Sequence, residues 1–273
     1  MVIPNKVLNN GVVIPMVGFG TWQLEGSVCY DSVINAVNAG YRSIDTAKAY
    51  NNEEYVGNAI KDCGLKREEL FITTKLWNAD QGFSSTIKAF DLSMHKLGLD
   101  VLDLYLIHWP GKGRFIETWK AIEQLYNEKR IRSIGVSNFM AHHLSELMDA
   151  TTIIPAVNQV ESHPYLYQKE AEEFSKENGI LIEAWSPLMS GKTALNDPVI
   201  MEIAATHGKS TAQIILNWHV VMGRRVIPRS SNSDRIKENI DIFDFELTSE
   251  EIHRINTLHS NNIRTGPNPD TYI

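Results

Sequence analysis

The stretch Val101-Leu102-Asp103-Leu104-Tyr105-Leu106-Ile107-His108 is almost continuously apolar and ends in a histidine. A parallel strand that is covered on both faces carries such a run, whereas a strand with one face in water alternates apolar and polar residues. Seven similar runs occur along the chain, at Met16–Gly20, Ser43–Asp45, Leu70–Lys75, Ile131–Ser137, Ala156–Glu161, Leu181–Ser186 and Val226–Arg229. The eight runs predict eight strands of a parallel sheet.

Apolar residues recur at helical spacing between these runs. Three of the helical segments stop at a glycine: Val28, Val33, Ala36 and Val37 before Gly40, Leu92 and Leu97 before Gly98, and Ile214, Leu216, Trp218 and Val221 before Gly223. Strands that alternate with helices produce a parallel sheet with right-handed crossovers. Eight such units predict an α/β fold, the (β/α)8 TIM barrel, with residues 1–273 in a single domain.

An open, doubly wound α/β sheet is the alternative to the barrel. Such a sheet normally has a glycine-rich phosphate loop of the form GxGxxG after an early strand. Here Gly18-Phe19-Gly20 is followed by Thr21-Trp22-Gln23. The third glycine is therefore missing, and a tryptophan stands where the backbone would have to approach phosphate. The sequence favours the barrel.

The net charge of −7 argues against bulk attraction to nucleic acid or to an anionic membrane. No apolar run approaches the roughly 18 residues that a membrane span needs, and the first residues show no secretory signal pattern. Cys29 and Cys63 are far apart and form no CxxC motif. We therefore expect a cytoplasmic protein with reduced thiols and no metal site.

Polar side chains end three consecutive strand runs, at Asp45, Lys75 and His108. Successive ends are about one βαβ unit apart, so the three side chains should emerge on neighbouring strands at the rim where barrels carry their chemistry. Tyr50 follows Asp45 within the next loop. Each of these residue types alone is more often a cap, a solvated group or a packing residue. Together at one rim, they form a group able to transfer a proton.

These residues stand in longer motifs that resemble the aldo-keto reductase family. The motifs are Gly40–Ala47 with Tyr50 and Asn52–Glu54, Thr73–Trp77, Asp103–Pro110, Ile134–Phe139, and Ile227–Ser230 with Arg235, Glu238 and Asn239. The resemblance covers nearly the whole chain and is closest to small prostaglandin F synthase-like and 2,5-diketo-D-gluconate reductase-like members. It implies that the hairpin predicted at Asn10-Gly11 closes the bottom of the barrel and that the C-terminal tail lies over its mouth.

The resemblance implies NADPH-dependent reduction of aldehydes and ketones, with four catalytic residues. Tyr50 would be the general acid, and the ammonium of Lys75 would lower the pKa of this phenol from about 10. Asp45 would keep Lys75 charged and oriented. His108 would hydrogen-bond the carbonyl oxygen of the substrate.

The family's NADPH/NADP+ contacts fall here on Gly20, Thr21, Trp22, Asp45, Ser137, Asn138, Gln159, Trp185, Ser186, Leu188, Arg229, Ser230, Ser231, Arg235, Glu238 and Asn239. Arg229 replaces a lysine that is common in the family, and Trp185 replaces a tyrosine that many relatives have. Arginine keeps the charge and adds a planar fork for phosphate. Residues 224–237 also hold five basic residues against one acidic residue, which supports a phosphate site. The alternative is that NAD is the preferred cofactor.

Three tryptophans follow strand ends: Trp22, Trp77 and Trp109. We expect them to bind the substrate together with Tyr50 and His108. Aromatic walls suit apolar carbonyl compounds. The short loop of residues 110–113 predicts an open pocket and a broad substrate range.

Two functions are alternatives to a reductase: a regulatory subunit of a potassium channel and a barrel with a purely structural role. A monomer is expected, as in similar relatives with short loops.

Overall fold

A computed structural model describes residues 3–111, 113–191, 193–260 and 263–272. Its strands are β1 (Asn5–Val7), β2 (Val13–Pro15), β3 (Phe19–Gly20), β4 (Ser43–Asp45), β5 (Phe71–Leu76), β6 (Leu102–Ile107), β7 (Ile131–Ser137), β8 (Val157–Glu161), β9 (Leu181–Trp185) and β10 (Arg225–Val226). Strands β3 to β10 form one sheet in which each pairs in parallel with the next along the chain.

The two ends of this sheet meet. A parallel bridge joins Val17, just before β3, to Val226 of β10. The amide of Gly18 donates to the carbonyl of Val226 at 2.8 Å, and the amide of Val226 donates to that of Met16 at 3.1 Å. Both edges of the sheet are thereby paired, which confirms the (β/α)8 barrel and excludes the open sheet.

The hairpin β1–β2 closes the lower end of the barrel, as predicted. Leu8 and Ile14 are buried in a cluster with residues at the beginning of barrel strands, among them Phe71 and Val157. The side-chain amide of Asn9 donates to the carbonyl of Pro155 at 3.0 Å. The barrel is therefore covered at the amino ends of its strands, and the opposite rim is left for the functional site.

The helices are α1 (Gly26–Ala39), α2 (Glu53–Asp62), α3 (Phe83–Leu97), α4 (Phe115–Asn127), α5 (Ala141–Ala150), α6 (Lys169–Glu177), α7 (Pro198–His207), α8 (Thr211–Val221), α9 (Ser233–Ile240) and α10 (Ser249–Asn256). Gly40 and Gly98 end α1 and α3 in the left-handed conformation, with φ of 107° and 65°. None of the helices in the described ranges is long and apolar enough to span a membrane.

Several details differ from the sequence-based prediction. Val28, Leu92 and Val221, assigned to the apolar helix faces, are exposed. Val28 and Leu92 each lie five residues from the next position assigned to the same face and so almost half a turn out of phase. The first barrel strand is Phe19–Gly20 and not Met16–Gly20. The last strand is Arg225–Val226 and not Val226–Arg229. Pro228 has no N–H to donate to a ladder, although its carbonyl still accepts from Gly20 at 3.1 Å.

Gly57 of α2 lies directly against the end of α3, where a Cβ would be 2.7 Å from the carbonyl oxygen of Leu97. Gly57→Ala should therefore lower the free energy of unfolding by roughly 1–3 kcal/mol through overpacking, although alanine favours a helix. Asn58→Ala makes the matched change at an exposed position of the same helix and should not destabilise. Urea unfolding of both variants checks this, and equal stabilities would contradict the close contact.

Candidate active site

A cavity of about 1120 Å³ opens at the carboxyl ends of the barrel strands. All sixteen residues predicted to bind the cofactor line it, as do the predicted substrate residues Tyr50, Trp77, His108 and Trp109. Lys75 lies beneath the cavity surface and is fully buried. The structure therefore brings the predicted site residues together at one rim.

The ammonium of Lys75 donates three hydrogen bonds. Its acceptors are Asp45 Oδ1 at 2.5 Å, the carbonyl of Thr46 at 2.9 Å and Tyr50 Oη at 3.2 Å. An ammonium has three hydrogens, so each is used once. Since Tyr50 Oη accepts from Lys75, the phenol hydrogen itself is free to point towards a bound molecule.

The pKa of Tyr50 is the balance of opposing effects. Burial raises the pKa of this phenol, the charge of Lys75 lowers it, and Asp45 raises it again. The net direction is upward, so Lys75 acts in the predicted direction but does not outweigh burial. The pKa of Lys75 is lowered by burial and raised more strongly by Asp45 and Tyr50. The pair therefore stays as neutral phenol and ammonium at neutral pH.

His108 lies beside Tyr50 and Trp77, with ring centroids 5.7 Å and 5.2 Å away. Burial and the charge of Lys75 hold its pKa well below the usual value of 6.5, so the imidazole is neutral. Its Nδ1 is buried and has no partner among the described residues. Its Nε2 is not among the buried atoms without a partner, so this atom is available towards the cavity that the ring lines.

Asn138 links several parts of the rim. It adopts a left-handed conformation with φ of 64°, which is uncommon for a residue other than glycine and concentrates at functional sites. Its amide nitrogen donates to the carbonyl of His108 at 2.9 Å, and its oxygen accepts from the indole nitrogen of Trp185 at 2.8 Å. Trp185 is only partly buried, so its ring is held at the cavity surface and is not ordinary core.

The basic side chains of residues 224–237 lie in two different environments, the cavity and the protein interior. Arg229 and Arg235 line the cavity, and the guanidinium of Arg235 has no hydrogen bond or ion pair to other described residues. Arg224 and Arg225 are buried in ion pairs with Glu172 and Glu183. The cluster of five basic residues is therefore not a single phosphate surface, and only part of it faces the cavity.

The C-terminal tail covers part of the mouth, as predicted. Glu161 accepts hydrogen bonds from the amide and hydroxyl of Thr265, and the ring of Tyr272 packs on Trp109 at 4.5 Å. Gly266 passes so close to Trp185 that a Cβ would be 2.5 Å from the indole. Sequence reasoning missed these lining residues because no strand-end spacing marks them.

Asn52 belongs to one of the sequence motifs, and in the structure its side chain connects two loops at the rim. Its buried amide donates to the carbonyls of Thr21 and Leu24 at 2.8 Å and 2.9 Å, and its oxygen accepts from Thr46 at 2.7 Å. Asn52 therefore fixes the loop after β3, which carries Trp22, against the loop that carries Tyr50. Trp22 itself is 52% exposed and forms the outer edge of the cavity.

One group within the described ranges, His142, His143 and Asp270, has metal-ligand spacing. It lies outside the residues that line the cavity. His143 Nδ1 accepts from the amide of Met140, so the neutral ring carries its proton on Nε2, the atom that faces Asp270. His142 Nε2 and His143 Nε2 lie 3.4 Å and 4.0 Å from Asp270 Oδ1, so contact of the two rings with this carboxylate accounts for the arrangement.

The sequence matches the family model described as "Aldo/keto reductase family" over residues 16–260. It is 53% identical to glyoxal reductase of Bacillus subtilis (strain 168), over 97% of this chain and 96% of that protein. It is 48% identical to 9,11-endoperoxide prostaglandin H2 reductase of Trypanosoma cruzi (strain CL Brener), over 97% and 95% of the two chains. The crystal structure of a Gox0644 variant in complex with NADPH has a TM-score of 0.96 and 40% identity, with both chains covered completely.

His108 should remain neutral across the physiological range because burial and Lys75 both disfavour the imidazolium. In 15N-histidine NMR spectra its ring signals should stay constant between about pH 5 and 8. His108→Gln would identify the signal, and the exposed His95 gives a reference in the same spectra. A midpoint near pH 6.5 for His108 would contradict its burial beside the ammonium.

Proposed function

The chain belongs to the aldo/keto reductase family, and we propose that it reduces a broad range of aldehydes and ketones to alcohols with NADPH, using Tyr50 as the general acid. The observation that carries the proposal is the hydrogen-bonded series Asp45–Lys75–Tyr50 at the cavity floor, with a neutral His108 next to the phenol.

The cavity residues fit a phosphorylated dinucleotide. Arg235 offers an unpaired guanidinium, and α9 begins beside it with Asn232 as its N-cap, so the helix dipole favours an anion there. Arg229 is held in place by the carbonyl of Trp22 at 2.9 Å. At the other end, Asn138, Gln159 and Trp185 offer amide groups and a flat ring for the nicotinamide. When bound, NADPH supplies the hydride.

The residues of the chain supply the proton and its control. Tyr50 donates its proton to the carbonyl oxygen as negative charge develops there. Lys75 stabilises the phenolate that is left, because it already donates a hydrogen bond to that oxygen. Asp45 keeps the ammonium paired through the transfer. The neutral His108 donates a hydrogen bond to the same carbonyl oxygen and so fixes its direction.

The walls around the phenol favour apolar and aromatic carbonyl compounds. Trp77 and Trp109 form the inner walls, Tyr272 extends them, and Trp22 lies at the solvent edge. The cavity is large and open to solvent on that side, so it accepts substrates of different length. Relatives named glyoxal reductase and 9,11-endoperoxide prostaglandin H2 reductase support a broad range. We further propose a monomer that acts in the cytoplasm.

Tyr50→Phe should lower kcat by about a hundredfold or more, since general acid catalysis contributes at least that much. The phenyl ring keeps the shape of the cavity, so the Kd for NADPH should not change. Loss of NADPH absorbance with glyoxal and with an aromatic aldehyde measures kcat, and protein fluorescence measures the Kd for NADPH. Near-normal turnover by the variant would refute the acid assignment, and no turnover by the wild type would refute the function.

Arg235→Met should raise the KM for NADPH by about tenfold or more, as expected for the loss of a charge-assisted phosphate contact. The KM for NADH should hardly change, because NADH lacks the 2′-phosphate. Lys237→Met is the matched control, since Lys237 is exposed in the same helix but does not line the cavity. Equal effects on the two cofactors would remove Arg235 from the phosphate site.

A further inference from the structure

The side-chain amide of Gln159 lies between two buried carboxylates at the base of the cavity. Its Nε2 donates to Asp45 Oδ2 at 2.9 Å and to Glu183 Oε1. An amide nitrogen has two hydrogens and a carboxylate can only accept. Both hydrogens are therefore used, and the amide cannot be turned round without placing its oxygen against two negative charges. The hydrogen bonds of the Gln159 side chain to other described residues are both donated by its Nε2, and its carbonyl oxygen is not among the buried atoms without a partner. This oxygen is therefore the atom that the cavity-lining residue offers to a ligand.

Glu183 is held by Arg225, and neither side chain has contact with water. Arg225 also donates to the carbonyl of Pro15 at 2.7 Å and to Ser43 Oγ at 2.5 Å. Burial lowers the pKa of Arg225 to about 10, so the guanidinium is charged at neutral pH. A buried carboxylate requires such a partner. Arg225 thus permits Glu183 to stay ionised beside the Gln159 amide.

We propose that Glu183, held by Arg225, is a positioning residue that fixes the Gln159 amide with its carbonyl oxygen towards the cavity, where it accepts from the carboxamide N–H of the nicotinamide. The inference rests on the proposed function, since it takes NADPH as the ligand. Asp45 alone would leave one amide hydrogen without an acceptor. The second carboxylate removes that freedom, so the site presents one fixed acceptor to the nicotinamide ring.

Glu183→Gln is the direct test because it keeps the shape of the side chain. Arg225 can only donate, so it will take the carbonyl oxygen of the new amide and leave the NH2 group facing Gln159. Donor then faces donor at position 183, whereas a turned Gln159 amide would place its oxygen against the carboxylate of Asp45. Neither orientation satisfies both neighbours, so the amide loses its fixed orientation. Binding of the nicotinamide should weaken, whereas the distant phosphate clamp of Arg229 and Arg235 is not touched.

Binding of NADPH and of 2′-phospho-ADP-ribose separates an effect on the nicotinamide site from an effect on the phosphate site. The Kd for NADPH should rise by about three- to tenfold in Glu183→Gln, which corresponds to the loss of one hydrogen bond between neutral amides. The Kd for 2′-phospho-ADP-ribose, which lacks the nicotinamide, should be unchanged. Transfer from NADPH deuterated on one face of the ring should lose stereospecificity, because the ring is no longer held by a fixed acceptor. Titration calorimetry and mass spectrometry of the alcohol give these three readouts.

Glu172→Gln is the matched control. It makes the same substitution in the ion pair with buried Arg224, at 2.9 Å, in which Glu172 is 21% exposed. This pair involves helix α6 and lies outside the cavity lining, so both Kd values should be unchanged. If Glu183→Gln does not fold, Glu183→Leu combined with Arg225→Met removes both charges and leaves neither unpaired. This double variant should show the same selective loss of NADPH binding.

Equal weakening of both ligands in a folded variant would make the pair purely structural and overturn the inference. An unchanged Kd for NADPH would do the same. The wild-type titration distinguishes these results from a failure of the proposed function: a wild-type protein that does not bind NADPH would overturn the function itself.

Discussion

A lysine ammonium without contact to water is the constraint on which the active site depends. Removing such a charge from water is strongly unfavourable unless it is paired and fully hydrogen-bonded. Lys75 meets this condition with one carboxylate, one backbone carbonyl and one phenol. These acceptors come from β4 and from the loop that follows it. The charge therefore determines how the loop with Tyr50 lies on the barrel.

The same requirement extends across the barrel. Asp45 pairs with Lys75 on one side and accepts from Gln159 on the other, and Gln159 leads to Glu183 and Arg225. In this series each buried acid has a buried base, Lys75 for Asp45 and Arg225 for Glu183, so its charges balance without solvent. The interior layers of such barrels are usually filled by branched apolar side chains. Here one layer is ionic, which gives the rim side chains fixed directions, and apolar packing alone would not do so.

The cover of the site has a different origin from its floor. Strand ends provide the floor, whereas the tail provides Thr265, Gly266 and Tyr272. The tail is held by buried Glu161 at the end of β8. In the proposed function, the barrel therefore carries the catalytic residues, and the segments that pack over it contact the substrate. This division is consistent with a family in which one reaction serves relatives named for different substrates.

The sequence by itself determined the barrel and the positions of Asp45, Lys75 and His108 on its rim, because strand periodicity is local and a closed parallel barrel places all carboxyl strand ends on one side. Only the tertiary structure decided which tail residues line the pocket, which arginines of the basic segment are buried, and that the pKa of Tyr50 is raised on balance. Burial and charge at one atom depend on groups from segments far apart in the chain. Arg225 and Arg235 are identical in type and close in sequence, yet one neutralises Glu183 in the interior while the other lies unpaired at the cavity.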